Sequence, residues 1–359
     1  MRLKEVLHNT LAIQTHSGET AAMQKYLKRF ARKHGISFTE DRGNIYMTKG
    51  EAEIYPCIVA HTDTVHNLID NFKVLFVEGV YFGWDADQRE FAGVGGDDKV
   101  GIAIALKMLL DYDIMKAAFF VDEEIGCVGS HRAQMDFFED CSVVIQCDRR
   151  GDSDVVNQVY GETLFGQEFE DAITPIVTKH GRKITTGMLT DVYTLRKKGM
   201  NTASMNLSTG YYKPHTSEEY VIYSDVENTL EFVKEVVNEL GHRSWPFPRQ
   251  IRSTNALSNV VQWPPKVPKV LWSDDEEEEE DTDEDFDIDE LIRQQMEGYN
   301  SKDGILVKHS DLSQGTDLCP NCQENSLVLD DSLDLWYCMT CCDYLIIVDE
   351  EGEIIDAYV

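Results

Sequence analysis

Three short, almost wholly apolar runs, Ile54 to Ala60, Ala117 to Val121 and Ser142 to Cys147, constrain this chain more than any other feature. Runs of that length with no polar alternation are what strands need when both faces of a sheet are covered, which occurs in parallel sheets packed between helices. Helical spacing between and around them, in Met1 to Ala12, Glu19 to Lys33, Asp97 to Tyr112 and Ser224 to Leu240, predicts an α/β domain with a mostly parallel central sheet flanked by helices. Gly35 is expected to end the second helix and Ser224 to cap the last one.

Each apolar run ends in residues that bind metals or move protons, and open α/β sheets place their sites at the carboxyl ends of strands. The first run leads into His61-Thr62-Asp63, the second into Asp122-Glu123-Glu124-Ile125-Gly126, and the third into Asp148-Arg149-Arg150-Gly151. Gly93-Val94-Gly95-Gly96-Asp97-Asp98-Lys99 opens a helix, and Pro214-His215-Thr216-Ser217-Glu218-Glu219 follows a strand expected over Thr202 to Leu207. Taken singly, a His-x-Asp is an incidental turn and a Glu-Glu pair a solvated face. The glycine-rich stretch lacks the Gly-x-x-x-x-Gly-Lys-Ser/Thr arrangement of a phosphate loop. Five such motifs at successive element ends are a different matter, because the fold would bring them together.

The catalytic-type region runs over residues 1–245. Beyond it the chain turns rich in Pro, Arg and Ser, and 14 of the 17 residues from 274 to 290 are Asp or Glu. Charges at that density repel one another and bury no core, so residues 246–302 are expected to be a disordered acidic linker. That run also supplies much of the formal net charge of -32, which argues against broad binding to nucleic-acid phosphates. Residues 303–359 carry Cys319-Pro-Asn-Cys322 and, 15 residues on, Cys338-Met-Thr-Cys341. This is the two-knuckle spacing of a zinc ribbon, in which four thiolates close the coordination sphere of one structural Zn2+. The acids around it, among them Asp330, Asp331 and Asp334, point to a protein partner.

The N-terminal segment lacks the continuous apolar stretch of a signal peptide, and no run approaches the ~18 apolar residues of a membrane span. Nine cysteines, an odd number with four in metal-ligand spacing, suit reduced thiols. The expectation is a cytoplasmic protein with no membrane partner.

Over residues 1–245 the sequence resembles the co-catalytic dizinc exopeptidases, a group that includes peptidase T, the carboxypeptidase G-like enzymes and the bacterial dizinc aminopeptidases. The resemblance rests on Val59-Ala60-His61-Thr62-Asp63-Thr64-Val65, on Gly96-Asp97-Asp98-Lys99-Val100-Gly101-Ile102-Ala103, and on Asp122-Glu123-Glu124-Ile125-Gly126 with Gly129-Ser130. It implies a single hydrolase-type catalytic domain that cleaves an amide bond at a peptide terminus, as an aminopeptidase or tripeptidase. Carried over by position, His61 and Asp148 would serve one Zn2+, Glu124 and His215 the other, and Asp97 would bridge them. Glu123 would be the general base, and Asp63 would hold the His61 ring. The peptide bond after the bridging Asp97 would be cis.

Elementary chemistry agrees with those assignments. Zinc takes imidazole nitrogen and carboxylate oxygen at ~2.0–2.2 Å, and five ligands across two ions leave room for a shared hydroxide. Two cations ~3.5–4 Å apart need a bridging carboxylate, and together they bring the pKa of bound water toward 7. Mn2+ or Co2+ would satisfy the same donors. Only 66 residues separate Asp148 from His215, too few for the lid domain that peptidase T and its carboxypeptidase relatives insert there. Thr190-Asp191 is open between a place near the metals and a cap on the helix Val192 to Lys198. Arg149 and Arg150 are open between a fork for a substrate carboxylate and surface ion pairs. An N-acyl amino acid amidohydrolase and a catalytically inactive binding scaffold remain as other readings of the whole.

Overall fold

A computed structural model describes residues 1–247 and five strands between residues 305 and 356. The chain starts with α1 (Leu3–Leu11) and α2 (Ala21–Lys33), then β1 (Ser37–Asp41), β2 (Asn44–Lys49) and β3 (Tyr55–His61). Next come β4 (Phe72–Val77), β5 (Val80–Asp85), β6 (Glu90–Ala92), α3 (Gly96–Asp111), β7 (Met115–Phe120), α4 (Val128–His131) and β8 (Cys141–Gln146). They are followed by β9 (Asp154–Val159), β10 (Glu162–Thr163), α5 (Gln167–Lys179), β11 (Lys183–Gly187), α6 (Asp191–Lys197), β12 (Ser204–Leu207), β13 (Tyr211–Tyr212), β14 (Tyr220–Ile222) and α7 (Tyr223–Leu240).

The main sheet runs β1-β2-β7-β3-β8-β12-β9-β10, with β11 beside β9. Its centre is parallel, β3 pairing with β7 and β8, and β8 with β12. The β1-β2 and β9-β10 edges are antiparallel. Alternation along the central strands explains the apolar runs. Ile58 and Ala60 of β3, Ala117 and Phe119 of β7, and Val143 and Ile145 of β8 face a core shared with α1, α2, α3, α5 and α7. Cys57, Val59, Ala118, Phe120 and Val144 point the other way, into a second core with Val192 and Leu195 of α6. The polar residues of these strands, Lys116, Ser142, Gln146 and His61, sit at or next to the strand ends.

Helix α3 is buried on almost every side, from Asp98 through Leu106, because it lies between β3 and α1. A second, antiparallel sheet, β13-β14-β5-β4 with β6 on β5, brings the loop after β13 toward the start of α3. The stretch between Asp148 and His215 supplies β9 to β12 and two helices to the main sheet, and no separate domain is inserted there. Ser224 does not cap α7; the helix begins at Tyr223, one residue earlier, with Ile222 in extended conformation before it.

The C-terminal strands β15 (Ile305–Lys308), β16 (Leu327–Asp330), β17 (Leu335–Cys338), β18 (Asp343–Val348) and β19 (Ile354–Asp356) form a sheet of their own. Its order is β15-β18-β17-β16, with β19 beside β18. Cys338 ends β17, opposite Leu327 and Asp343. Cys319, Cys322, Cys341 and residues 248–302 of the expected acidic linker lie outside the described residues, whereas Pro246 pairs with Thr202 and the Phe247 N–H donates to the Asn201 carbonyl. Among the described residues no helix is long and apolar enough to cross a membrane.

Candidate metal centre

The ends of β3, β7 and β8, the start of α3 and the loop after β13 converge. His61 is the last residue of β3 and is buried. Its Nδ1 lies 3.0 Å from the backbone carbonyl of Asp63. That contact turns Nε2 toward Asp97 Oδ1 at 3.1 Å and Asp148 Oδ1 at 3.6 Å. The other oxygen of Asp97 faces His215 Nε2 at 3.4 Å, and Glu124 Oε2 is 3.1 Å from the same nitrogen. Two groups result, His61-Asp97-Asp148 and Asp97-Glu124-His215, each with its donor atoms within 4.8 Å of one another and with Asp97 in both.

Two neighbouring aspartates divide the work at the head of α3. Asp97 and Asp98 have non-helical backbone angles, and the peptide bond between them is cis. Asp97 presents its carboxylate to both imidazoles. Asp98 turns inward, accepts the Gly101 N–H at 3.0 Å as a helix cap does, and accepts the His61 N–H at 3.2 Å. It thereby ties the helix start to the end of β3.

Asp63 reaches its neighbours differently from the expectation. Its carboxylate is 3.5 Å from His61 Nδ1, farther than its own carbonyl. The shorter contacts are to the next strand end: Oδ1 accepts the Glu123 N–H at 2.9 Å, and Oδ2 accepts the Glu124 N–H at 3.3 Å and the Ser17 hydroxyl at 2.7 Å. Asp63 therefore holds the turn that carries Glu123 and Glu124. Glu123 itself accepts a hydrogen bond from the Cys127 thiol at 3.2 Å.

A supporting layer behind Asp148 is invisible in the motifs. Gln146 Nε2 donates to Asp148 Oδ2 at 3.0 Å, and Asn206 brackets the Asp148 backbone, accepting its N–H at 3.0 Å and donating to its carbonyl at 2.7 Å. Asp191 does not cap α6. It is the first helical residue, fully buried, and takes a 3.2 Å hydrogen bond from Gln146. Burial, with Asp63 adding to it, pushes its carboxyl up to about 6. Arg149 forms a surface ion pair with Asp154 at 2.7 Å, and Arg150 is exposed.

Charge at the centre is one-sided. The ion pairs that Asp97, Glu124 and Asp148 make are to His61 and His215. Buried carboxylates in such numbers must take up protons or meet cations. Burial and the nearby Asp97 push Asp148 well above the usual carboxylate range. Burial, Asp148, Asp191 and Glu124 do the same to Glu123, and burial raises Glu124. Burial pulls the His61 ring down, but its contacts to Asp148, Asp63 and Asp97 outweigh that and hold it well above its ordinary value. Glu124 Oε1 is buried without a hydrogen-bond partner, an acceptor left over at the centre. Nitrogen and oxygen donors, an orphaned carboxylate oxygen and uncompensated negative charge fit two divalent cations sharing Asp97.

Beside His215 opens a cavity of about 250 Å3, whose walls include Thr15, His66, Phe72, Phe91, Lys99 and Ser217.

No protein-family model matches this chain, and neither does any curated protein. Solved structures do. Aminopeptidase PepT from Bacillus cereus ATCC 10987 superposes with a TM-score of 0.55 at 14% identity, over 67% of this chain and 98% of that one. A tripeptidase from Staphylococcus aureus gives 0.53 at 15% identity, over 66% and 98%. An aminopeptidase from the archaeon Desulfurococcus kamchatkensis gives 0.50 at 14% identity, over 66% and 94%. The chain shares its fold with these peptidases. At such low identity the likeness concerns the backbone alone.

Proposed function

We propose that this chain is a metal-dependent exopeptidase that cleaves an amide bond next to a peptide terminus. The observation that carries the reading is the pair of three-ligand groups that share Asp97. His61 and Asp148 would hold one divalent ion and Glu124 and His215 the other, with Asp97 contributing to both; Zn2+ suits the donors, with Mn2+ or Co2+ as alternatives. Such a pair, when bound, polarises the scissile carbonyl and acidifies a water.

The chain's own residues do the remaining work. Glu123 accepts the proton of the attacking water and returns it to the departing amine. Burial and its acidic neighbours favour the protonated carboxyl, a shift that bound cations would oppose. Asp63 fixes Glu123 through its backbone N–H. The adjoining cavity has room for one residue of the substrate and mixes aromatic walls with hydroxyl and amino groups. The fold shared with an aminopeptidase and a tripeptidase supports a peptide as substrate.

The C-terminal sheet, with Cys338 at a strand end, is in this reading a zinc ribbon closed by Cys319, Cys322 and Cys341, joined by the acidic linker of residues 246–302 and directed to a protein partner. Four buried, unpaired cysteines, Cys57, Cys127, Cys141 and Cys147, support a reducing, cytoplasmic setting. The test is hydrolysis of di- and tripeptides beside N-acyl amino acids by the purified, metal-analysed chain. Turnover of the peptides with two catalytic ions per chain is expected. Turnover confined to N-acyl amino acids moves the assignment to an amidohydrolase, and no turnover of either defeats it.

A further inference from the structure

Glu219, four residues beyond His215, is fully buried, yet it belongs to neither ligand group. Its Oε2 accepts the Gly95 N–H at 2.7 Å and lies 2.7 Å from His66 Nε2, while Oε1 accepts the Asp97 N–H at 3.0 Å. One side chain thus joins three loops. The first follows β3 and runs from His61 to His66, the second is the glycine-rich entry to α3 that delivers Asp97, and the third delivers His215.

The loops are shaped for this contact. A Cβ at Gly96 would lie 3.4 Å from Glu219 Oε1 and 2.7 Å from Tyr211 Cβ, and one at Gly93 would sit 2.0 Å from the His66 ring. A side chain at Gly93 would displace the imidazole that meets the carboxylate, and one at Gly96 would push the α3 entry away from Tyr211 and Val221 of the β13–β14 hairpin that carries Glu219. The buried Lys99 ammonium lies close enough to feel the charge of Glu219.

His215 needs such a tether. Its side chain is 52% exposed and its φ is +65°, so local packing does little to hold it. Asp97 must meet His61 with one oxygen and His215 with the other, at 3.1 and 3.4 Å. Whether the Asp97-Glu124-His215 group exists at all therefore depends on how the α3 entry sits against the β13–β14 loop. We infer that Glu219 is a positioning residue that sets the affinity of the ion between Glu124 and His215, through the backbone of Gly95 and Asp97 and through His66. The inference rests on the two-ion reading.

Replacing Glu219 by Gln conserves size and tests it. Whichever way the new amide turns, its NH2 faces a backbone N–H that formerly had an acceptor. The readout is zinc binding to the full-length metal-free chain, by competition with a chelator, alongside thermal melting. Loss of at least about tenfold in affinity for one catalytic ion is expected, the scale seen when groups supporting metal ligands are removed, with the other ion held as before. The loss should not add to that of His215→Ala, because both act on one ion. Equal weakening of both ions, or none, overturns the inference. His66→Phe removes one contact of three and gives a second arm should Glu219→Gln fail to fold: a smaller loss at the same ion supports the inference, and unchanged binding overturns it. A wild-type chain that takes up fewer than two catalytic ions defeats the two-ion reading, and this inference with it.

Discussion

Replacing Asp63 by Asn removes one acceptor and one charge from beneath the turn that carries Glu123 and Glu124, at a fully buried position. The amide oxygen can stay at the Oδ1 position and keep the Glu123 N–H, now 2.9 Å away. The amide nitrogen then occupies the Oδ2 position, where the Ser17 hydroxyl can reverse and accept from it. The Glu124 N–H cannot reverse; it faces a donor and loses its acceptor. A buried donor without a partner costs about 1–3 kcal/mol. Expressed at Glu124, that is about 5- to 140-fold in affinity for the ion it shares with His215, at 1.4 kcal/mol per tenfold. The His61–Asp148 ion should change little, because the imidazole leans on the Asp63 backbone carbonyl at 3.0 Å, which Asn retains. Chelator competition on the full chain, with His215→Ala to identify the affected ion, measures both affinities. A loss confined to the His61–Asp148 ion would show that the carboxylate acts on the ring at 3.5 Å instead, and no loss at either ion would refute the argument.

Glu123→Gln keeps the backbone bond to Asp63 and should lower kcat by at least about 100-fold while both catalytic ions stay bound; retained turnover excludes Glu123 as the base. Removing residues 251–359 should leave peptide hydrolysis intact, since the ligand groups lie within the first 247 residues, and an inactive truncation would place part of the site in the C-terminal unit. Burial and the nearby Lys4 lower His8 from 6.5 to about 4, so between those values the unfolded chain binds the extra proton and the fold weakens as pH falls. At 1.36 kcal/mol per pH unit this amounts to about 3 kcal/mol, so urea melts of His8→Gln should lose that much less stability than wild type from pH 7 to 4, and parallel curves would refute it.

The central strands were legible because burial on both faces leaves a pattern that no solvated element shares: every residue of Tyr55–His61 is buried. The second sheet was not read, although a signal existed. Phe72–Val77 and Val80–Asp85 are two apolar runs separated by Glu78-Gly79, both with positive φ, the two-residue hairpin that Asn-Gly or Asp-Gly would have announced more loudly. Phe72–Val77 is only half-buried throughout, so its apolar face has no clean period to betray it.

Within the centre, motif position brought five motifs to one end of the sheet, since strand ends and helix starts of an α/β sheet meet in space, and the resemblance to the dizinc exopeptidases singled out His61, Asp97, Glu124, Asp148 and His215 among their residues. Apart from that resemblance, nothing in the sequence tells these carboxylates apart. Asp97 and Asp98 are chemically identical neighbours, and only the backbone turn between them decides which one faces the imidazoles and which caps the helix. Asp63 and Glu219 were each readable as an acid near a histidine. Their partners are backbone N–H groups 60 and more than 120 residues away, and an N–H has the same identity at every position except proline. Ligands announce themselves by residue type, whereas the carboxylates that aim them are recognised only by what they accept. A search for such supports in related sequences should therefore begin from the glycines that make room for their partners, Gly93 beneath the His66 ring here, because a missing Cβ leaves a mark in the sequence and a hydrogen bond to the backbone does not.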